Sequence, residues 1–341
     1  MRTFKLKSFL FIIKSPREVF RVYLFFALFY ASTSYAQYVE GGLFSAARAG
    51  NLEMMKKLLE TVSQQEQLDT ALAAAVMGNQ TSVIKYLIEK GAHANPTNFK
   101  DTGLLINAIM HERYEAAKAL IEAGAEVNIK GYKRIIHGIQ VDWDWTPLMC
   151  SAYKGQLSLV ELLIEKGSDI HQKGSSNSRS DLETSADIAA YSGHLDILKL
   201  LIDKGSELNE ETIYKSVRGG HVQIVEYLLS KGIEINRLSA SSGKTLLMEA
   251  SWWGHLDFVN LFIKNGADVN IIGTNGYTAL SEAISNSNEE FPNQVAVVNL
   301  LLEHGANTNI TDKYRMTPLM LAVKSNNQEI IDLLIKKGAK Y

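Results

Sequence analysis

One recurring phrase limits the fold of this chain more than any other feature. An apolar helical segment ends in Gly, a small residue follows, and Asn stands three positions further on. The phrase reads "YLIEKGAHAN" (86–95), "ALIEAGAEVN" (119–128), "LLIEKGSDIH" (162–171) and "LLIDKGSELN" (200–209). It continues as "YLLSKGIEIN" (227–236), "LFIKNGADVN" (261–270), "LLLEHGANTN" (300–309) and "LLIKKGAKY" (333–341). The glycines Gly91, Gly124, Gly167, Gly205, Gly232, Gly266, Gly305 and Gly338 are spaced 33, 43, 38, 27, 34, 39 and 33 residues apart. A base period of 33 with insertions and one deletion describes them. A fixed period of this size means stacked supersecondary units, none of which can bury its apolar face alone.

A second phrase precedes the first in each unit. It reads "TPLMCSAYKGQ" (146–156), "TLLMEASWWGH" (245–255), "TALSEAI" (278–284) and "TPLMLAV" (317–323). Degenerate copies are "SADIAAYSGH" (185–194) and "IYKSVRGGH" (213–221). Together the two phrases resemble the ankyrin repeat, whose mark is T-P-L-H-x-A at a period of 33. The resemblance covers residues 41–341 as one domain, with about eight phased repeats plus terminal units. The first unit, "GGLFSAARAGNLEMMKKLLE" (41–60), has the helix pair without the Gly-Ala-Asn ending. The expected fold is an all-α ankyrin-repeat solenoid of helix-turn-helix units with projecting turns.

The local chemistry agrees with this. Leu159, Val160, Leu162, Leu163 and Ile164 form a broad apolar face at helical spacing. Small residues such as Ala189 and Ala190 let neighbouring helices approach. The Thr of each second phrase suits an N-cap, with Pro at the first helical position. Gly after the second helix suits a left-handed C-cap. The insertion "IKGYKRIIHGIQVDWDW" (129–145) alternates Ile135, His137, Ile139 and Val141, which predicts a β-hairpin. "KGSSNSRSDLET" (173–184) reads as a polar mobile loop, and "SNSNEEFPN" (285–293) falls between the two helices of one repeat. The unit ending at Gly232 is short and lacks most of its projecting turn.

The first 36 residues differ in kind. Arg2, Lys5, Lys7, Lys14, Arg17 and Arg21 precede an apolar run from Val22 to Ala31, and Ser34-Tyr35-Ala36 follows. That order predicts a signal peptide cleaved after Ala36. The alternative is an uncleaved anchor, the only membrane contact this reading allows; the apolar run is short for a span, which needs about 20 residues. Residues 1–36 hold six Lys/Arg and one acid, Glu18, so the remainder carries 29 basic and 36 acidic side chains, net −7. That sign argues against nucleic acid as partner. Cys150 is the one cysteine, which rules out an intramolecular disulfide. Its apolar phase predicts a buried, inert thiol.

His194, His221 and His255 share one repeat phase after Gly. Stacked units would space them about 10 Å apart, too far for shared metal ligation. They are expected to bond within and between repeats. "SGKT" (242–245) lacks the first Gly of a phosphate loop, since Leu238 stands there, and is expected to be a turn into a helix. "HERYE" (111–115) lacks the second His of a zinc helix. Glu249 and Glu282, at one phase in successive repeats, are expected on a solvated or hydrogen-bonded face. No metal, cofactor or catalytic group is expected.

The resemblance implies that the two residues before the Gly-His phase point to the concave side of the stack. In the middle of the chain these include Tyr153, Tyr191, Arg218, Trp252 and Trp253. Trp145, Tyr277 and Met316 stand just before the Thr phase and are expected on the projecting turns. Tyr, Trp and Arg are the types enriched at binding hot spots. The expected function is non-catalytic binding of a protein partner, after export and in a bacterial periplasm. The alternatives are a secreted bacterial effector that binds a host protein and, in a different class, an enzyme.

Overall fold

A computed structural model describes residues 42–60, 65–96, 103–136, 139–175, 183–208, 210–286 and 293–340. Residues 1–36, His137, and the central parts of the 173–184 and 285–293 insertions lie outside the described residues. The chain divides into two compact units.

The first unit contains three helix pairs: α1 (Leu43–Ala49) with α2 (Leu52–Leu59), α3 (Gln65–Met77) with α4 (Thr81–Glu89), and α5 (Leu104–Met110) with α6 (Tyr114–Glu122). First helices pack on first helices (α1 on α3, α3 on α5), and second helices do likewise. Small residues line the first-helix layer: Ala47, Ala71, Ala74, Ala75 and Ala108 are almost wholly buried. The hairpin follows, with β1 (Tyr132–Ile136) antiparallel to β2 (Ile139–Trp143) and Ile136 paired with Ile139. The hairpin lies where the period-2 alternation predicts it. At its base the Gly131 amide donates to the Trp145 carbonyl at 3.3 Å.

Helices α7 (Pro147–Tyr153) and α8 (Leu157–Glu165) contribute to both units. The second unit continues with α9 (Ser185–Ser192) and α10 (Leu195–Asp203), then α11 (Glu210–Gly219) and α12 (Val222–Ser230). The pairs α13 (Leu246–Trp252) with α14 (Leu256–Lys264), α15 (Ala279–Ser285) with α16 (Gln294–Glu303), and α17 (Pro318–Lys324) with α18 (Gln328–Lys336) complete it. The apolar stripes meet in one core that includes Leu198, Leu201, Val225, Leu228, Phe258 and Phe262. The Thr caps form as their positions suggest. The Thr245, Thr278 and Thr317 side chains accept from the amides of Met248, Ser281 and Met320 at 3.2–3.3 Å. Ser239 to Lys244 is a turn into α13, closed by the Ser239 amide on the Lys244 carbonyl at 2.8 Å. Cys150 is fully buried.

Two hydrogen-bond ladders fix the stacking. The last carbonyls of a helix have no partner within it. Here a side chain at the start of the next repeat's second helix reaches them. Gln80 Nε2 donates to the Arg48 carbonyl at 3.3 Å, and Arg113 Nε to that of Met77 at 3.0 Å. In the second unit His194 Nε2 bonds the Tyr153 carbonyl (3.1 Å) and His221 Nε2 that of Tyr191 (2.9 Å). The Trp252 carbonyl takes both Asn286 Nδ2 and Gln294 Nε2 at 2.8 Å.

The second ladder explains the Asn of the repeated phrase. Asn236 accepts from the Asp268 amide at 2.8 Å and donates to the Gly266 carbonyl at 3.1 Å, one repeat on. Asn270 does the same with Asn307 (2.8 Å) and Gly305 (3.1 Å). The Gly that ends each second helix has positive φ, 86° at Gly266 and 84° at Gly305. An L side chain resists that conformation. The Gly therefore ends the helix and turns its carbonyl to the preceding Asn.

Candidate functional site

The site is assembled in the second unit, at the C-terminal ends of the first helices. Tyr153 closes α7 and Tyr191 lies in the last turn of α9; their side chains are 37% and 50% exposed. Both backbones are tied down by the histidine ladder, so the rings stand on fixed carbonyls. Tyr277 is half-buried in the turn before α15, where Asn275 Oδ1 takes its amide at 3.0 Å. Met316, in the next projecting turn, is likewise half-buried.

Arg218, Trp252 and Trp253 are half-buried and engaged with their neighbours. Glu249 joins them. Its Oε1 accepts from Arg218 Nε on α11 at 2.6 Å and from Trp253 Nε1, one turn along its own helix, at 3.0 Å. Lys244 Nζ sits 4.6 Å from the centre of the Trp252 ring and donates to Glu282 Oε2 on α15 at 2.9 Å. Lys244 thus makes a cation–π contact and an ion pair at once. Asn275 Nδ2 reaches Glu282 Oε1 at 3.4 Å. Burial pushes the Glu282 carboxyl above its ordinary range, against the pull of Lys244. The adjacent tryptophans therefore divide the work: one ring receives a lysine, the other indole N–H binds a buried carboxylate.

Trp145 corrects an expectation. It does not project from a turn; it is only 5% exposed, packed at the entrance to α7. The hairpin inserted before it returns the chain to the body of the first unit, as the Gly131–Trp145 bond shows. Trp145 therefore belongs to the core and leaves the candidate site. Sequence reasoning also undervalued Lys244, Glu249 and Glu282, which hold the site together. The shared phase of the two acids was the available signal. Their depth was not, because burial here depends on the adjoining repeats.

His255 occupies the same ladder phase and, like His194 and His221, is half-buried. Its ring meets the edge of Phe258 at 5.6 Å. Burial lowers its affinity for a proton, while the Arg218 carbonyl, Asp257 and Glu249 oppose this. Among the described residues, no group of His, Cys, Asp and Glu is placed to hold a metal ion, and no helix is long and apolar enough to cross a membrane. The site presents hydrogen-bond donors, cations and ring faces beside buried carboxylates.

Stacked helix pairs, Thr-capped first helices and an Asn ladder at a drifting 33-residue period define a helical repeat protein of the ankyrin class. The family model for ankyrin repeats matches residues 43–131, 132–212, 187–273 and 263–341, and the chain belongs to that family. Ankyrin repeats are in general protein-interaction modules. Among curated proteins, the chain is 32% identical over 112 residues to alpha-latrocrustotoxin-Lt1a of Latrodectus tredecimguttatus, covering 33% of this chain and 7% of that protein. It is 30% identical over 127 residues to the ankyrin repeat and KH domain-containing protein mask-1 of Caenorhabditis elegans, covering 36% and 4%. These matches thus span a small fraction of either relative. A crystal structure of an ankyrin repeat domain from Acinetobacter baumannii AYE is 28% identical, with a TM-score of 0.47, covering 57% of this chain and 98% of that one.

Proposed function

We propose that this chain is a non-catalytic scaffold that binds a protein partner on the first-helix face of its second unit. Tyr153, Tyr191, Arg218, Trp252, Trp253 and Tyr277 form the contact surface. The observation that carries the reading is the pairing of exposed rings with a fixed backbone. Tyr153 and Tyr191 are exposed while their carbonyls are held by His194 and His221. A rigid aromatic anchor loses little entropy on binding, which is what a hot spot needs.

We propose further that residues 1–36 are an export signal cleaved after Ala36 and that the chain works in a bacterial periplasm. The order of charges, apolar run and small residues in that segment supports this. Secretion to a host is the competing destination, and cell fractionation separates the two.

The binding reading is tested by affinity capture from native extract, with the chain and with a Tyr153→Ala/Tyr191→Ala variant of unchanged melting temperature. A partner retained by the first and lost by the second supports it. Equal retention by both overturns the assigned surface.

A further inference from the structure

We infer that the segment captured on this face is acidic: a stretch of Asp and Glu with apolar side chains between them. This rests on the proposed binding face and adds the chemistry of its ligand. The argument is a layering of charge. On the first helices of the second unit and in the residues that lead directly into them, the described carboxylates lie low, whereas Asp169, Glu207, Glu234 and Asp268, nearer the ends of the preceding second helices, are exposed. Asp187, Glu249, Glu282 and Asp312 are between 1% and 5% exposed. Glu183 and Glu211 are half-buried and bonded, to Lys215 at 2.6 Å and to Ser241 at 3.0 Å.

The bases lie above them. In the Arg218–Glu249 pair the arginine side chain is 26% exposed and the glutamate 4%. In the Lys244–Glu282 pair the values are 19% and 1%. Lys313, Arg315 and Lys324 are exposed on the same turns and helix ends. A ligand approaching this face meets guanidinium and ammonium groups first, with the balancing carboxylates screened behind them. The net charge of the chain hides this, because acids are abundant elsewhere. Complementary potential of this kind selects partners and suppresses wrong ones. Beside these cations stand the Trp252 ring, under Lys244, and the Trp253 ring, which shares Glu249 with Arg218. The Tyr191 phenol is exposed at the same end of its own first helix; such rings give apolar side chains a surface. A guanidinium fork such as that of Arg218 suits a carboxylate.

The test is selection from a display library of random 12-residue peptides against the full chain. Three variants run beside it: Lys313→Glu/Arg315→Glu, Lys324→Glu, and Tyr153→Ala/Tyr191→Ala. The expected result is at least a twofold enrichment of Asp and Glu in the selected peptides. That enrichment falls with the charge-reversal variants, whose exposed side chains leave folding intact. Selection of neutral or basic peptides, or of none, overturns the inference, as does equal binding of a 12-nucleotide single strand. The tyrosine variant reads the underlying site separately. If acidic peptides are selected equally well by it, the acidic preference stands and the tyrosine anchors fall.

Discussion

Arg218 Nε and Glu249 Oε1 lie 2.6 Å apart, although 31 residues of sequence separate them. The contact joins two successive first helices through a carboxylate that is almost wholly buried. The same oxygen receives the Trp253 indole. Glu249→Ala therefore removes a hydrogen-bond acceptor from a half-buried guanidinium and an indole N–H together. Removing one partner of a buried pair costs more than the pair is worth, because the other charge remains. We expect a loss of about 2 kcal/mol in urea unfolding. The Arg218→Ala/Glu249→Ala double variant should lose less than the sum of the single losses. Additive losses would show that the two residues do not act as a pair.

The stability of the second unit should depend on pH through two groups with opposite signs. Burial lowers the pKa of His255, so the folded chain binds fewer protons there than the unfolded chain. Its contribution is present above the ordinary imidazole value of about 6.5 and is lost as pH falls below it. Burial raises the pKa of Glu282, so the folded chain keeps that proton where the unfolded chain has released it. Its contribution falls as pH rises from the ordinary carboxylate value of about 4.3. Thermal melts from pH 5 to pH 7 should therefore rise less steeply with pH in His255→Gln than in the parent. In Glu282→Gln they should rise more steeply. Unchanged slopes in both variants would contradict the assigned signs.

Asn270 makes two bonds across its repeat junction. Asn309, at the same phase, makes one that the structure resolves, accepting from the Lys340 amide at 3.0 Å. Asn270→Ala should cost about 1–2 kcal/mol and Asn309→Ala about half of that. Denaturant midpoints at constant m-value measure both. A larger loss at Asn309 would mean that the ladder is not what ties the units.

In the last described repeat the first helix exposes a position that is buried in the repeats before it. Val323 is 46% exposed, yet the equivalent Ala152, Ala190, Val217, Ser251 and Ile284 are fully buried. Val323→Lys should therefore change stability by less than about 0.5 kcal/mol, since the side chain it replaces is already exposed. Val217→Lys should unfold the second unit, because it buries an unpaired charge. Circular dichroism melts of the two variants decide the matter, and equal destabilisation would refute the stacking register.

Much of the architecture was legible because it is local. Helix pairs follow from the spacing of residues such as Leu159 and Leu163, helix starts from Thr245 and Thr317, helix ends from Gly266 and Gly305. The hairpin at 132–143 followed from alternation. Each of these signals acts within a few residues of itself. Trp145 was misread because its distance from the Thr phase matched that of Tyr277. The hairpin before it changes where that position lies.

What the sequence determined by itself was the period, the residues that share a phase, and the recurrence of Tyr, Arg and Trp at one of those phases. Tertiary structure decided which of them stay exposed. Tyr153 and Tyr191 face solvent, whereas Trp253 gives its indole N–H to Glu249 and Trp252 its ring face to Lys244. It also decided that the acids lie beneath the bases. Periodicity states that two side chains occupy equivalent places. The depth of each, and what it meets there, depends on how one helix pair settles against the next, about 30 residues away in sequence.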